Sequence, residues 1–234
     1  MAAEVQQVLL SRATRLTPYC EAAGDSIPCR AIGGDFFELM HLPSGDFGIA
    51  LGDVAGKGPA SALVAAMIQG MLAVEVQAED SPSAVLTHLN RILLSRGLEP
   101  RFATLVYGVL SSDGRFVYSN GGHNPPIILA RDGLRRLTVG GPILGVFKEA
   151  TFKEETVSLS DGNTLIAYSD GVTEASDPGG QEFGEDRLIS FVTSSCTNPA
   201  PEMIQGILKC VQGFCEGTAQ ADDITITVTR FHGL

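Results

Sequence analysis

The stretch TLVYGVLSSDGRFVYSNGGHNPPIILARDGLRRL, residues 104–137, holds two β-hairpins in succession. Thr104 to Leu110 and Phe116 to Ser119 flank Asp113-Gly114, and Ile127 to Ala130 and Leu134 to Leu137 flank Asp132-Gly133. Asp-Gly between apolar segments is a strong hairpin signal, because both residues tolerate the positive φ of a tight primed turn. Consecutive hairpins mean antiparallel sheet and argue against repeating βαβ units. Upstream, Phe36 to Met40, the turn Pro43-Ser44-Gly45 and Phe47 to Leu51 give another hairpin. Downstream, Val157 and Leu159, the turn Asp161-Gly162 and Leu165 to Tyr168 repeat the pattern, and β-branched Ile224 to Val228 makes a terminal strand.

Helical signals lie between these strands. Pro59 opens an Ala-rich stretch to about Gln77, and Ser81-Pro82 opens another to about Arg96, proline standing at the first-turn position that needs no N–H partner. A third helix is predicted from about Asp186 to Thr193 and a fourth from Pro201 to about Phe214. Strands, two helices, strands, helices and a last strand describe an α+β fold of layered antiparallel sheets with helices outside. Residues 1–16 are predicted as an N-terminal amphipathic helix carrying Val5, Val8, Leu9 and Leu16, and residues 17–234 as one domain, since no repeat or long linker divides them.

Composition limits the partners. The chain has 234 residues, 44% of them hydrophobic, enough for a core without staples. Sixteen basic against 27 acidic residues leave a net charge of −11, which repels nucleic acid and anionic membranes. Cys20, Cys29, Cys196, Cys210 and Cys215 are odd in number and lack CxxC spacing, so a disulfide framework or zinc ribbon is not indicated and a reduced, cytoplasmic setting is expected. The N-terminus lacks the basic-then-apolar order of a secretory signal. The longest apolar run, Ala60 to Val74, is shorter than the roughly 20 residues that cross a bilayer and is broken by Gln69, so it reads as a buried helix.

The acids carry the chemistry. Asp35 follows Gly33-Gly34; Asp53 ends an apolar strand after Gly52; Asp170 ends Leu165 to Tyr168 and precedes Gly171; Asp222-Asp223 precede the last strand. An Asp-Gly pair by itself makes a turn. Four such positions, three of them ending apolar strands, point instead to convergence on a ligand. Converging carboxylates cannot all ionise without cations, and all-oxygen ligation suits Mg²⁺ or Mn²⁺. Two such ions about 3.5–4 Å apart can activate water and clamp a phosphoryl group. No Ser-His-Asp or Cys-His pairing competes.

GGDFFE at 33–38, GDVAGKGPASALVAA at 52–66, FATLVYGVL at 102–110, NGGHNPP at 120–126, YSDGVTEA at 168–175 and ADDITITV at 221–228 resemble, in order, the motifs of the RsbU/SpoIIE-type branch of the metal-dependent PPM serine/threonine phosphatases, the protein phosphatase 2C superfamily. The resemblance runs from about Leu16 to the end. It implies an αββα sandwich with two Mn²⁺ or Mg²⁺ ions in a cleft at one edge of two packed sheets. It implies Asp53 as the bridging ligand with the Val54 carbonyl, Asp35 on one ion, and Asp170 and Asp222 on the other. Asp223 stays open as the alternative member of the tandem. Metal-activated water would then hydrolyse phosphoserine or phosphothreonine without a phosphoenzyme.

The resemblance further implies a phosphorylated anti-anti-sigma (STAS) protein as substrate in a bacterial partner-switching pathway, with an activating partner or a sensor domain beyond this chain. It also likens the helix pair after residue 58 to a switch element that repositions metal ligands. A homodimer through the first helix is a further expectation. Two departures stand out: Glu38 replaces the Asp frequent in the branch, and Ala55 stands where eukaryotic relatives carry a His that protonates the leaving group, so the general acid is unassigned. Lys57 is either a solvated turn residue or a phosphate attractor; Gly56-Lys57-Gly58 lacks the spacing and hydroxyl of a P-loop. His123 and Asn124 read as structural hydrogen-bonding residues, and Glu182, Glu185 and Asp186 as a solvated loop. The competing functions are a catalytically silent binding module and a phosphatase of small phosphate esters.

Overall fold

Alternation along β3 (Phe36–His41) and β4 (Phe47–Val54) sets the layering. Phe37, Leu39, Phe47, Ile49 and Leu51 face one apolar layer, whereas Phe36, Ala50 and Val54 face another. A period of two places successive side chains on opposite faces, and both faces here are apolar because both are covered. The computed structural model describes residues 4, 6, 8, 13–78, 81–97 and 102–233.

One sheet has the order β10 (Glu155–Ser158), β6 (Arg115–Gly121), β5 (Ala103–Leu110), β4, β3, with the short β9 (Gly140–Gly141) parallel to β6. The other runs β1 (Ala13–Leu16), β2 (Cys20–Ile27), β12 (Ile224–Phe231), β11 (Thr164–Tyr168), β7 (Ile127–Ala130), β8 (Gly133–Arg136). Every pairing except β6 with β9 is antiparallel. Phe37, Phe47, Leu51, Leu110, Phe116, Leu165 and Phe231 fill the space between the sheets. Against the first sheet pack α1 (Pro59–Glu75) and α2 (Pro82–Ser95) through Ile68, Leu72, Val85, Leu86 and Leu89. Against the second pack α4 (Gly184–Ser194) and α5 (Ala200–Phe214), through Leu188, Met203, Ile204 and Ile207; the single turn α3 (Asp170–Thr173) precedes them. Helix, sheet, sheet, helix is the αββα sandwich, and the α+β class stands.

The hairpins at Asp113-Gly114 and Asp132-Gly133 form as read, β5 with β6 and β7 with β8. The third does not: β10 pairs with β6 and β11 with β12, so the Asp161-Gly162 turn carries the chain from one sheet to the other. Ala13–Leu16, placed in the first helix, instead pair with β2 as a strand. Of residues 1–12 only Glu4, Gln6 and Val8 are described, as helical; the others, Val5 and Leu9 of the apolar stripe among them, lie outside the described residues, and the expected dimer surface is not tested. Ala60 to Val74 is only half buried: Ile68 and Leu72 are covered, but Leu63 and Val74 are 74% and 70% exposed, and the helix has no charged outer face. No helix among the described residues is long and apolar enough to cross a membrane.

Candidate metal centre

Strand register gathers the acids in two pairs. Phe36 lies opposite Gly52 across β3 and β4, so Asp35, one residue before β3, stands beside Asp53 near the end of β4. Tyr168 lies opposite Ile226, so Asp170, two residues past β11, falls level with the start of β12 and close enough to Asp222, two residues before it, to feel its charge. One carboxylate ties the two sheets together at this point. Asp223 Oδ1 accepts the Cys29 N–H at 2.8 Å and Oδ2 accepts the Gly34 N–H at 2.8 Å. A Cβ at Gly33 would fall 1.9 Å from Asp223 Oδ2, and one at Gly34 would fall 2.5 Å from the Val54 carbonyl oxygen. The glycines are there so that the loop can lie flat on its neighbours.

The tandem therefore divides its work. Asp223 is buried and spends its carboxylate on backbone, whereas Asp222 is part-exposed and turns its Oδ2 to the Lys57 ammonium at 2.7 Å. Lys57 also donates to the Ala221 carbonyl at 2.5 Å, so this exposed turn residue has its ammonium engaged by the chain's own acceptors. Its turn needs Gly56 and Gly58, at φ of 99° and 88°. Ser169 fixes the remaining edge: its hydroxyl donates to the Asp223 carbonyl at 3.2 Å and accepts the Thr225 N–H at 3.0 Å.

The electrostatics show how closely the acids interact. Burial, followed by the Asp170 and Asp222 charges, pushes the Asp53 carboxyl up to about 6, with the Asp35 carboxyl beside it pulling the other way. Burial and then the Asp53 charge hold Asp35 well above the usual carboxylate range, against the hydroxyls of Thr225 and Ser169. Asp170 is raised by burial and then by Asp222. Asp35 Oδ2 is buried without a hydrogen-bond partner, a costly state for a carboxyl oxygen.

These residues fit a divalent cation: the donors are all oxygen, the charges are mutually destabilising, and one buried oxygen is unsatisfied. Among the described residues the one trio of candidate ligand atoms within 4.8 Å of one another is Cys29, Asp222 and Asp223. Asp35, Asp53 and Asp170 do not form such a trio. Cys29 brings a soft sulfur to an otherwise all-oxygen set, and burial, followed by the Asp223 side chain, pushes its thiol up.

The other candidates sort by contact. His123 is buried; its ring Nδ1 meets the Thr104 hydroxyl at 2.8 Å, its backbone N–H donates to Asn120 Oδ1 at 2.7 Å, and burial lowers its pKa to about 4. Thr104 is the register partner of Asp53, so His123 props the strand end in neutral form. Glu38 is half-buried in β3 and accepts from Gln69 Nε2 at 2.9 Å, which accounts for the polar break in α1. Glu185 is not a solvated loop residue: it stands in the first turn of α4, takes the Arg136 guanidinium at 2.7 Å and accepts the Tyr168 hydroxyl at 2.8 Å. The roles of Cys29, Ser169 and Gln69 were not read from the sequence; Ser169 gave a signal as the residue leading Ser-Asp-Gly, and Gln69 as a polar break in an apolar run.

Residues 43–232 match the family described as Stage II sporulation protein E (SpoIIE). Protein IcfG of Synechocystis is 30% identical over 228 residues, covering 85% of this chain and 36% of that protein. Phosphoserine phosphatase RsbU of Bacillus subtilis is 27% identical over 233 residues, covering 98% of this chain and 69% of RsbU. The structure of the RsbU and RsbW domains of Rv1364c from Mycobacterium tuberculosis superposes with a TM-score of 0.79 at 22% identity, over 93% of this chain and 63% of that one. The chain thus spans about a third of one relative's length and about two thirds of the others'.

Proposed function

The chain belongs to the SpoIIE family of protein phosphatase 2C-type domains, and from that premise we propose that it hydrolyses phosphoserine or phosphothreonine in a protein substrate with the help of two Mn²⁺ or Mg²⁺ ions. The observation that carries the reading is the gathering of acids from separate chain segments: strand register sets Asp35 beside Asp53, and Asp170 and Asp222 lie near enough to push the Asp53 carboxyl up. Asp35, Asp53, Asp170, Asp222 and the Val54 carbonyl are the residues we assign to the ions. When bound, the cations neutralise the carboxylates, polarise the phosphoryl group and activate water.

The chain's own groups hold that constellation in place. Asp223 fastens the 29–35 loop, so that Asp35 stays beside Asp53. Ser169 locks Asp170 against the start of β12. Neither Ala55 nor the neutral, buried His123 supplies a proton at physiological pH, so the leaving alkoxide takes its proton from water or from the substrate's surroundings. The similarity to RsbU supports a phosphorylated STAS-type anti-anti-sigma protein as substrate, in a partner-switching pathway regulated by a partner or a further domain.

The test is hydrolysis of p-nitrophenyl phosphate and of a phosphoserine STAS protein, with Mn²⁺, with chelator, and with Asp53→Ala or Asp170→Ala. Turnover that needs Mn²⁺ and disappears in both variants supports the reading. Absence of turnover from a folded, Mn²⁺-binding wild type overturns it in favour of a silent binding module. Higher efficiency on the protein than on the small ester separates a protein phosphatase from an esterase, because contacts remote from the phosphate act only on the larger substrate.

A further inference from the structure

A groove of about 480 Å³ runs from the candidate metal centre outward between α3 and the end of α5. That volume is in the range of ligand-binding clefts. At its inner end stand Lys57, Gly171 and Asp222, so whatever enters the groove continues from a phosphate held at the centre. Its lining has two parts. Val211 and Ile224, both buried, and Ala175 give an apolar floor, while Glu174 and Glu216 stand at the rim. Lys57 is the one cation in the lining, and its ammonium is bound by Asp222 and the Ala221 carbonyl. The lining therefore keeps a net negative charge outside the metal centre.

Resting on the phosphatase reading, we propose that this groove is a specificity subsite for an arginine or lysine side chain near the phosphorylated residue of the substrate. A long cationic side chain lays its aliphatic stem on apolar surface and keeps its charged end among polar groups, which matches the floor and rim. The placement also answers an electrostatic problem. A chain of net charge −11 repels a doubly charged phosphate, and a neighbouring cation on the substrate offsets that repulsion. Charges at a rim set selectivity more than raw affinity, so the subsite ranks substrates.

The test uses phosphonate analogues of a phosphoserine peptide, which bind without turnover, in the presence of Mn²⁺. One arginine is walked along the residues on either side of the phosphonate, with alanine, glutamate and norleucine in the same places. Fluorescence anisotropy on wild type is expected to show, at one or two positions, arginine binding roughly fivefold tighter than alanine and glutamate weakest. Glu216→Gln should shrink the preference, Glu216→Lys should reverse it toward glutamate, and Ala219→Trp, which fills the groove, should abolish it. Thermal melts confirm that each variant is folded.

Equal affinity for arginine and alanine at every position overturns the subsite, as does a preference that survives Glu216→Lys and Ala219→Trp. Norleucine binding as tightly as arginine overturns the cationic occupant in favour of an apolar one. Phosphate release from the matching phosphopeptides is read separately. Selective binding without release sinks the phosphatase reading and keeps the groove, and release without selectivity does the reverse.

Discussion

Asp223 Oδ2 accepts the Gly34 backbone N–H at 2.8 Å, joining chain segments 189 residues apart across the edges of two sheets. The contact gives Asp223 a bracing role that Asp222 does not share. Asp223→Ala removes a buried acceptor and strands the N–H groups of Cys29 and Gly34, so it should cost about 2–4 kcal/mol of stability, read from the urea midpoint. Asp222→Ala removes only a part-exposed carboxylate and should cost under about 1 kcal/mol while abolishing the stabilisation that Mn²⁺ confers. The reverse ranking of the two variants would show the assignment to be inverted.

Gly171 is limited in the same way, by space rather than by φ. A Cβ there would lie 2.0 Å from the Asp223 carbonyl oxygen, a backbone atom that cannot rotate away. Gly171→Ala should therefore push α3 off the start of β12, with about 2 kcal/mol of destabilisation and weakened Mn²⁺ binding. A variant melting within a degree or so of wild type would show that the two segments part freely.

Lys57 is a cation already resident at a carboxylate assigned to metal. Its pair with Asp222 has 36% and 42% exposed side chains, so solvent screens it and it adds little to stability. Lys57→Met should leave the metal-free melting temperature nearly unchanged yet tighten Mn²⁺ binding several-fold in calorimetric titration, because the ion no longer displaces an ammonium. Weaker binding would mean that Lys57 orients Asp222 for the ion instead of competing with it.

The legible parts of the sequence were those where local rules and tertiary packing agree. Asp113-Gly114 and Asp132-Gly133 announce their turns, and Pro59 and Pro82 announce their helices, because turn and cap chemistry is local. Strand β2, with the sequence CEAAGDSI, went unread: its alanines and glycine have no strand preference, and it is a strand because it is sandwiched between β1 and β12. The Asp161-Gly162 turn misled for the opposite reason, since a tight turn does not say whether both its arms join one sheet. At the site, the acids at strand ends were visible as types and positions. The division of labour between Asp222 and Asp223, and the capture of Lys57, depend on distances that no spacing encodes.

His123 gives a spectroscopic check. Its ring is buried against Thr104, with its pKa lowered to about 4, so it stays neutral where an exposed histidine titrates. Its ring carbon–proton NMR signals should hold still from about pH 8 to about pH 5. Phosphatase activity should correspondingly show no limb assignable to it, and His123→Gln should act through stability. Titration near the ordinary value of 6.5 would place the ring in contact with solvent.

The pH dependence of the metal-free fold follows from the site acids. Asp53 rises from 3.8 to about 6, and Asp35 and Asp170 shift the same way. A carboxyl with a raised folded pKa binds its proton more tightly in the fold than in the unfolded chain, so folding takes up protons between the two values. Its contribution is fully present below about pH 4 and is lost as the pH rises through about 6. Glu154 and Glu185, held low by their partners, act in the other direction, so the site's share is read as wild type minus Asp53→Asn. In chelator, that difference should shift against wild type as the pH rises from about 4 to about 7, since the variant has no charge to bury. Cations reverse the penalty by neutralising the ionised acids, so the Mn²⁺-induced rise in melting temperature should grow over the same interval. A Mn²⁺ effect equal at both ends of that range, or a wild-type-minus-variant difference flat with pH, would mean that Asp53 ionises as an ordinary surface acid and that the site lacks the crowding on which its metal assignment rests.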